Sequence, residues 1–287
     1  MTIGIAARCN AGYVVMASDR RISFGGAIPA ADNQMIKQFN VGRRWQALFA
    51  GDDIGPAIPL IQRARDLLQE RNRPPLTPKD EDFESERDVK FSMREAYRIE
   101  RLEYASDKIL SPSNLTPEEL KLLGYAGLGS EFTILNRALR SFDLGIEFLV
   151  CGFDWRGFGK IFMVKNPGRI QNIGLLDYWA IGSGANIALA HLVTRPIGIL
   201  PIAEVVYRVC EAKFSTESAD LGIGADTTVS VMNRHGLEGH LSEVEIRTIR
   251  QEWEESKQKR SSSDTRWAIE NRLKDQGVLP MNFRHID

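Results

Sequence analysis

Cysteine is scarce in this chain: Cys9, Cys151 and Cys210 are the only ones in 287 residues. An odd number of thiols in apolar surroundings makes no disulfide framework; it predicts buried, reduced cysteines and a cytoplasmic protein. An excess of charge of one sign is missing too. Lysine and arginine number 37 against 38 aspartates and glutamates, so the balance favours neither nucleic acid nor an anionic membrane as partner. No run approaches the roughly 20 apolar residues needed to cross a bilayer. The residues after Met1 lack the basic start and apolar stretch of a secretory signal. His191, His235, His240 and His285 show no ligand spacing with cysteine or carboxylate, so no metal site and no other cofactor is expected. The glycine-rich residues 124–129 follow a short predicted helix and not a strand, which points to a flexible insertion and away from a phosphate loop. There is no solenoid repeat. A peptide, protein or small molecule is left as the default partner.

What is present is an ordered alternation. Residues 2–8 and 13–18 read as two strands around Asn10-Ala11-Gly12, and residues 35–41 and 45–50 as a second pair closed by Gly51-Asp52-Asp53. Apolar residues Ile58, Ile61, Leu67 and Leu68 give helical spacing over 54–69, and Phe91, Ala96, Ile99, Leu102 and Ala105 do the same over 89–109. Between them, residues 71–82 are dense in charge and proline and read as a solvated connection. The run Arg94 to Glu103 reads as a solvated helix face. Thr116-Pro117-Glu118-Glu119 sets a capping residue before proline and predicts one short helix, inside an insertion over about 111–140. Further on, strands are expected at 146–152, 160–164 and 178–181, helices at 185–193 and 202–215, a strand at 227–232 and a charged helix at 240–258. The polar linker and helical tail over 259–287 are expected to be peripheral to a sandwich occupying 1–258. Strands, two helices, strands, two helices, strand is the order of a four-layer αββα sandwich, an α+β fold with two antiparallel sheets between helix layers.

Four short motifs, taken in order, give this chain its resemblance to a known family. They are residues 12–21 (Gly-Tyr-Val-Val-Met-Ala-Ser-Asp-Arg-Arg), Lys37-Gln38-Phe39-Asn40-Val41 leading to Ala47-Leu48-Phe49-Ala50-Gly51, Ala180-Ile181-Gly182-Ser183-Gly184, and Gly222-Ile223-Gly224-Ala225-Asp226 before a strand. Together they resemble the proteasome-type N-terminal nucleophile hydrolases, the 20S β-subunits and their bacterial relatives, over most of residues 2–258. The resemblance implies a threonine-type peptidase or amide hydrolase with Thr2 as nucleophile, exposed by removal of Met1. A small second residue is what methionine removal requires, and Thr2 qualifies.

A threonine hydroxyl is a weak nucleophile at neutral pH, and a chain-terminal threonine carries its own base, an α-amine with a pKa of about 8. A lysine beside the hydroxyl lowers its pKa, and an aspartate fixes that lysine. The resemblance gives these parts to Lys37 and Asp19, with Arg21 in support, Ser183 near the nucleophile and Gly51 as oxyanion donor. Counting forward from Asp19 lands nearer Met35, so Lys37 requires a short insertion around Gly25-Gly26. Asp220 is the best match to the family's second aspartate, with Glu217 and Ser218 close by and no serine where the family has one. The family also implies a homo-oligomeric ring or other closed assembly that sequesters a peptide or protein substrate. A non-catalytic scaffold subunit and a small-substrate amidase of the same fold are the alternatives.

Overall fold

The computed structural model describes residues 2–9, 12–24, 28–31, 37–51, 53–71, 84–194, 196–220, 222–255 and 263–279. Met1, Met35, most of the charged stretch at 71–82 and most of the linker after 255 lie outside them. The first sheet contains β1 (Gly4–Cys9), β2 (Tyr13–Asp19), β10 (Tyr178–Ile181), β11 (Thr227–Asn233) and β12 (Glu238–His240), in the order β10-β1-β2-β11-β12. The second runs in chain order through β5 (Gln38–Gly42), β6 (Trp45–Gly51), β7 (Ile146–Phe153), β8 (Gly159–Lys165) and β9 (Arg169–Asn172). Every pairing in both sheets is antiparallel.

Side-chain alternation explains why the two sheets stack face to face. Successive strand residues point to opposite faces, so a strand buried on both sides is apolar throughout yet divides its residues between two cores. In β2, Tyr13, Val15 and Ala17 join the outer core beneath one helix layer, while Val14 and Met16 join the core between the sheets. The same division in β7 sends Phe148 and Val150 outward and Leu149 and Cys151 inward. The outer core of the first sheet is covered by α5 (Ala185–Leu192), α6 (Ile202–Ala219) and α7 (Glu243–Glu255). That of the second is covered by α1 (Ala57–Arg71) and α2 (Glu86–Ala105). This is the expected αββα sandwich. Among the described residues no helix is long and apolar enough to cross a membrane.

Several local expectations are corrected. An extra hairpin, β3 (Ile22–Phe24) with β4 (Ile28–Ala31), stands where a short insertion was needed to bring Lys37 into place. The 111–140 segment holds two helices, α3 (Pro117–Leu128) and α4 (Ser130–Ser141), and not one. Its glycines do not make a loop. Gly124 takes a φ of 54° at a kink within the helical stretch, a conformation that glycine tolerates. Leu110, Leu120 and Leu135 form a small core under this insertion. The face at 94–103 is not wholly solvated, because Glu100 is buried and accepts from Arg63 Nε at 2.7 Å, across to α1. The helix expected from residue 240 starts at Glu243, since Ser242 caps it: the Glu245 N–H donates to Ser242 Oγ at 3.3 Å, and the Glu245 carboxylate accepts from the Ser242 N–H at 2.7 Å. Finally, the tail is not peripheral. Helix α8 (Ser263–Asp275) turns Ile269 and Leu273 into the core of the first sheet's helix layer, and Val278 and Leu279 follow them.

Candidate active site

Thr2 lies just ahead of β1, a strand that runs between β10 and β2, and is 3% exposed. Asp19 ends β2 and is fully buried, in register with Thr227 of β11. Lys37 stands at the entrance to β5, where its carbonyl accepts from the Phe49 N–H at 3.0 Å. These elements bring the three side chains together. Thr2 Oγ1 donates to Asp19 Oδ1 at 2.9 Å and accepts from Lys37 Nζ, which also reaches the two Asp19 oxygens at 3.0 and 3.1 Å.

A buried carboxylate is costly unless donors surround it. Asp19 has them: the Ile3 N–H at 3.0 Å, the Arg21 N–H at 3.2 Å and the Gly224 N–H at 3.4 Å complete its shell. Arg21 thus meets Asp19 through its backbone. Burial lowers the Lys37 pKa, opposed by the charge and hydrogen bond of Asp19. A lysine so placed can exchange a proton more readily than an exposed one, while its partners keep it aimed at the threonine hydroxyl.

The turn after β10 closes the site from the other side. Gly182 has a φ of 91°, and a Cβ there would run into the Thr2 carbonyl, so the position requires glycine on both counts. Ser183 Oγ lies 3.5 Å from the Thr2 carbonyl oxygen and 3.4 Å from Asp220 Oδ2. Both contacts are at the long limit of a hydrogen bond. Asp220 is therefore at the margin, and its Oδ1 accepts from the Gly222 N–H at 2.9 Å. Gly51, at the end of β6, lines the same cleft as Thr2; a Cβ on it would come within 2.7 Å of Ile146 Cγ2 and 2.8 Å of the Gly145 carbonyl.

The cleft, about 410 Å³, has a wall that the motifs did not foretell: Asp143, Glu147, Lys165 and Asn166. Glu147 Oε1 accepts from the Gly182 N–H at 2.8 Å and so braces the turn against Thr2. One signal was available in the sequence. Glu147 falls on the inward-facing phase of β7, shared with Leu149 and Cys151, where a carboxylate needs a reason to be. Among the described residues no group of three or more histidines, cysteines or carboxylates is arranged to hold a metal ion.

Two antiparallel five-stranded sheets between helix layers, with Thr2 at the head of an interior strand of one of them, define a proteasome-like α+β fold. No protein-family model matches the sequence, and no curated protein does. Among solved structures the chain is similar to a mutant of Anbu from Hyphomicrobium sp. strain MC1, with a TM-score of 0.60 over 89% of this chain and 94% of that one. At 14% identity, the likeness shows the fold alone.

Proposed function

We propose that this protein is an N-terminal threonine hydrolase acting on amide bonds of peptides or proteins. The observation that carries the reading is the convergence of Lys37 and Asp19 on the Thr2 hydroxyl at the edge of a cleft. Once Met1 is removed, Thr2 Oγ attacks the amide carbonyl and its proton passes to the freed α-amine, with Lys37 lowering the cost of the developing alkoxide. The oxygen of the tetrahedral intermediate is stabilised by the Gly51 N–H. The amine then protonates the leaving nitrogen, and water attacks the acyl-threonine ester to restore the hydroxyl. Ser183 and Asp220 orient the α-amine, and Arg21 supports Asp19 through its backbone. In this reading the protein works in the cytoplasm as a homo-oligomer that shelters the cleft.

Intact mass of the purified protein is the first test, with Thr2 expected as the first residue. Incubation with a β-lactone or epoxyketone is then expected to add one inhibitor mass at Thr2. Thr2→Ala is expected to abolish both the adduct and peptide hydrolysis; labelling that persists in the variant would sink the assignment. The long Ser183 contacts favour a second reading, a non-catalytic subunit of the same fold. Retained Met1 together with no adduct would select it.

A further inference from the structure

Beneath the site lies a second buried lysine that the proposed chemistry does not use. Lys213 of α6 is wholly buried, and its Nζ donates to Glu217 Oε2 at 2.7 Å, to the Gly224 carbonyl at 2.7 Å and to the Ala225 carbonyl at 3.1 Å. Three acceptors match the three donors of an ammonium group. From α7, Arg250 reaches both Glu217 oxygens at 2.8 and 3.0 Å and the Ala225 carbonyl at 2.8 Å, with its guanidinium 4.2 Å from the centre of the Phe214 ring. Two cations and one carboxylate therefore clasp a single turn, residues 222–226.

That turn has two sides. Its carbonyls at Gly224 and Ala225 face the clasp, while its Gly224 N–H faces Asp19 Oδ2. It then leads straight into β11: the Asp226 backbone carbonyl accepts from the Arg20 N–H at 3.1 Å, and Thr227 pairs with Asp19. For stability alone an ammonium is a poor choice here, since well-packed apolar residues commonly replace buried ion pairs at no loss. Burial lowers the Lys213 pKa, against the pull of Glu217. What the lysine supplies that an apolar side chain lacks is a grip on two backbone carbonyls.

We propose that Lys213 is a positioning residue: together with Arg250 it sets the 222–226 turn, which holds Asp19 in line with Lys37 and Thr2. The inference rests on the reading of Thr2 as nucleophile. The titratable and charged groups facing Lys213 are Glu217 and Cys210 from its own helix, Arg250 from α7 and Asp19 from β2.

The test uses the full chain, mass-checked for a Thr2 start, in wild type, Lys213→Met and Arg250→Met. Acylation by a β-lactone, followed by mass and normalised to folded protein, gives kinact and KI separately. Lys213→Met is expected to lower kinact by about tenfold or more with KI within about twofold of wild type, and Arg250→Met to lower kinact by about threefold. Hydrogen exchange of the peptide covering 222–226 is expected to quicken about tenfold in both variants. A merely structural lysine would lower the folded fraction but leave kinact of the folded protein alone. Unchanged kinact in folded Lys213→Met, or unchanged exchange at 222–226, overturns the proposal; if Lys213→Met does not fold, Arg250→Met is held to the same criteria. Should wild type take no adduct, the nucleophile reading fails by itself, and the exchange measurement still decides whether the clasp orders the turn.

Discussion

Gly182 is the position at which the site tolerates least. Its left-handed φ and the Thr2 carbonyl beside it leave no room for a Cβ, so Gly182→Ala is expected to cost about 2–4 kcal/mol in urea unfolding and to abolish lactone labelling. Wild-type labelling in that variant would contradict the close approach. Glu147 offers a finer contrast. Replacing it with alanine strips the Gly182 N–H of its acceptor, a loss of about 1–3 kcal/mol, whereas Glu147→Gln keeps an acceptor in place and is expected to lose less than half as much. Paired urea titrations decide between them. The motifs identified Thr2, Asp19 and Lys37 by residue type and order, and the geometry unites these three. Glu147 carried no motif. Its part in the site depends on β7 lying beside the turn after β10, a meeting between strands distant in sequence. Ser183 and Asp220 were legible as turn residues, but how close they come to Thr2 depends on backbone distances that no spacing rule supplies.

At the scale of elements, α8 shows how charge can hide a core helix. Thr265, Ile269 and Leu273 recur every four residues and are all buried, while Arg266, Glu270, Asn271 and Arg272 stand between them and Trp267 faces outward. So few apolar residues in so polar a segment suggest a surface tail. Leu273→Ala is expected to destabilise the protein by about 2–5 kcal/mol, the range for truncating a buried leucine; a change under about 0.5 kcal/mol in chemical denaturation would restore the peripheral reading. The insertion behaves oppositely. Thr116 caps α3 in a reciprocal box with Glu119, and Thr116→Ala is expected to cost about 1 kcal/mol. Because Leu110, Leu120 and Leu135 form their own cluster, that loss is expected as faster hydrogen exchange confined to 106–141. The strands with clear alternation were readable from the sequence. Among those of three or four residues, β10 was legible from its run of aromatic and β-branched residues, whereas β3, β4, β9 and β12 were not, since so short a run barely completes one alternation. Helix α4 was masked by the glycines before it, whose backbone freedom is used for a kink instead of a loop.

For the molecule as a whole, buried titratable groups set how stability responds to alkali. Burial pushes the Cys210 thiol up to about 12 and raises Cys151 as well. Between about pH 8.5, where an unfolded thiol titrates, and the folded value, the unfolded chain holds fewer protons than the native one, so stability falls as pH rises. Lys37 and Lys213 act in the opposite sense: their folded pKa values are depressed, so just below the ordinary lysine range the unfolded chain holds more protons and stability rises with pH. The comparison of variant with wild type isolates one group. Cys210→Val is expected to reduce the stability lost between about pH 8.5 and pH 10 by about 2 kcal/mol, read from guanidinium titrations at both pH values. All three cysteines are buried, so a thiol reagent is expected to label them only as fast as the protein opens. The sheet order bears on time as well. Synthesis delivers Thr2, Asp19 and Lys37 early, but the Gly224 N–H that meets Asp19 comes from 205 residues further on, and β2 waits for β11 as its neighbour. Such distant pairings form late and slowly. The second sheet's strands are all made before β11 exists, so the nascent chain carries Thr2, Asp19 and Lys37 through most of translation without the turn that meets Asp19.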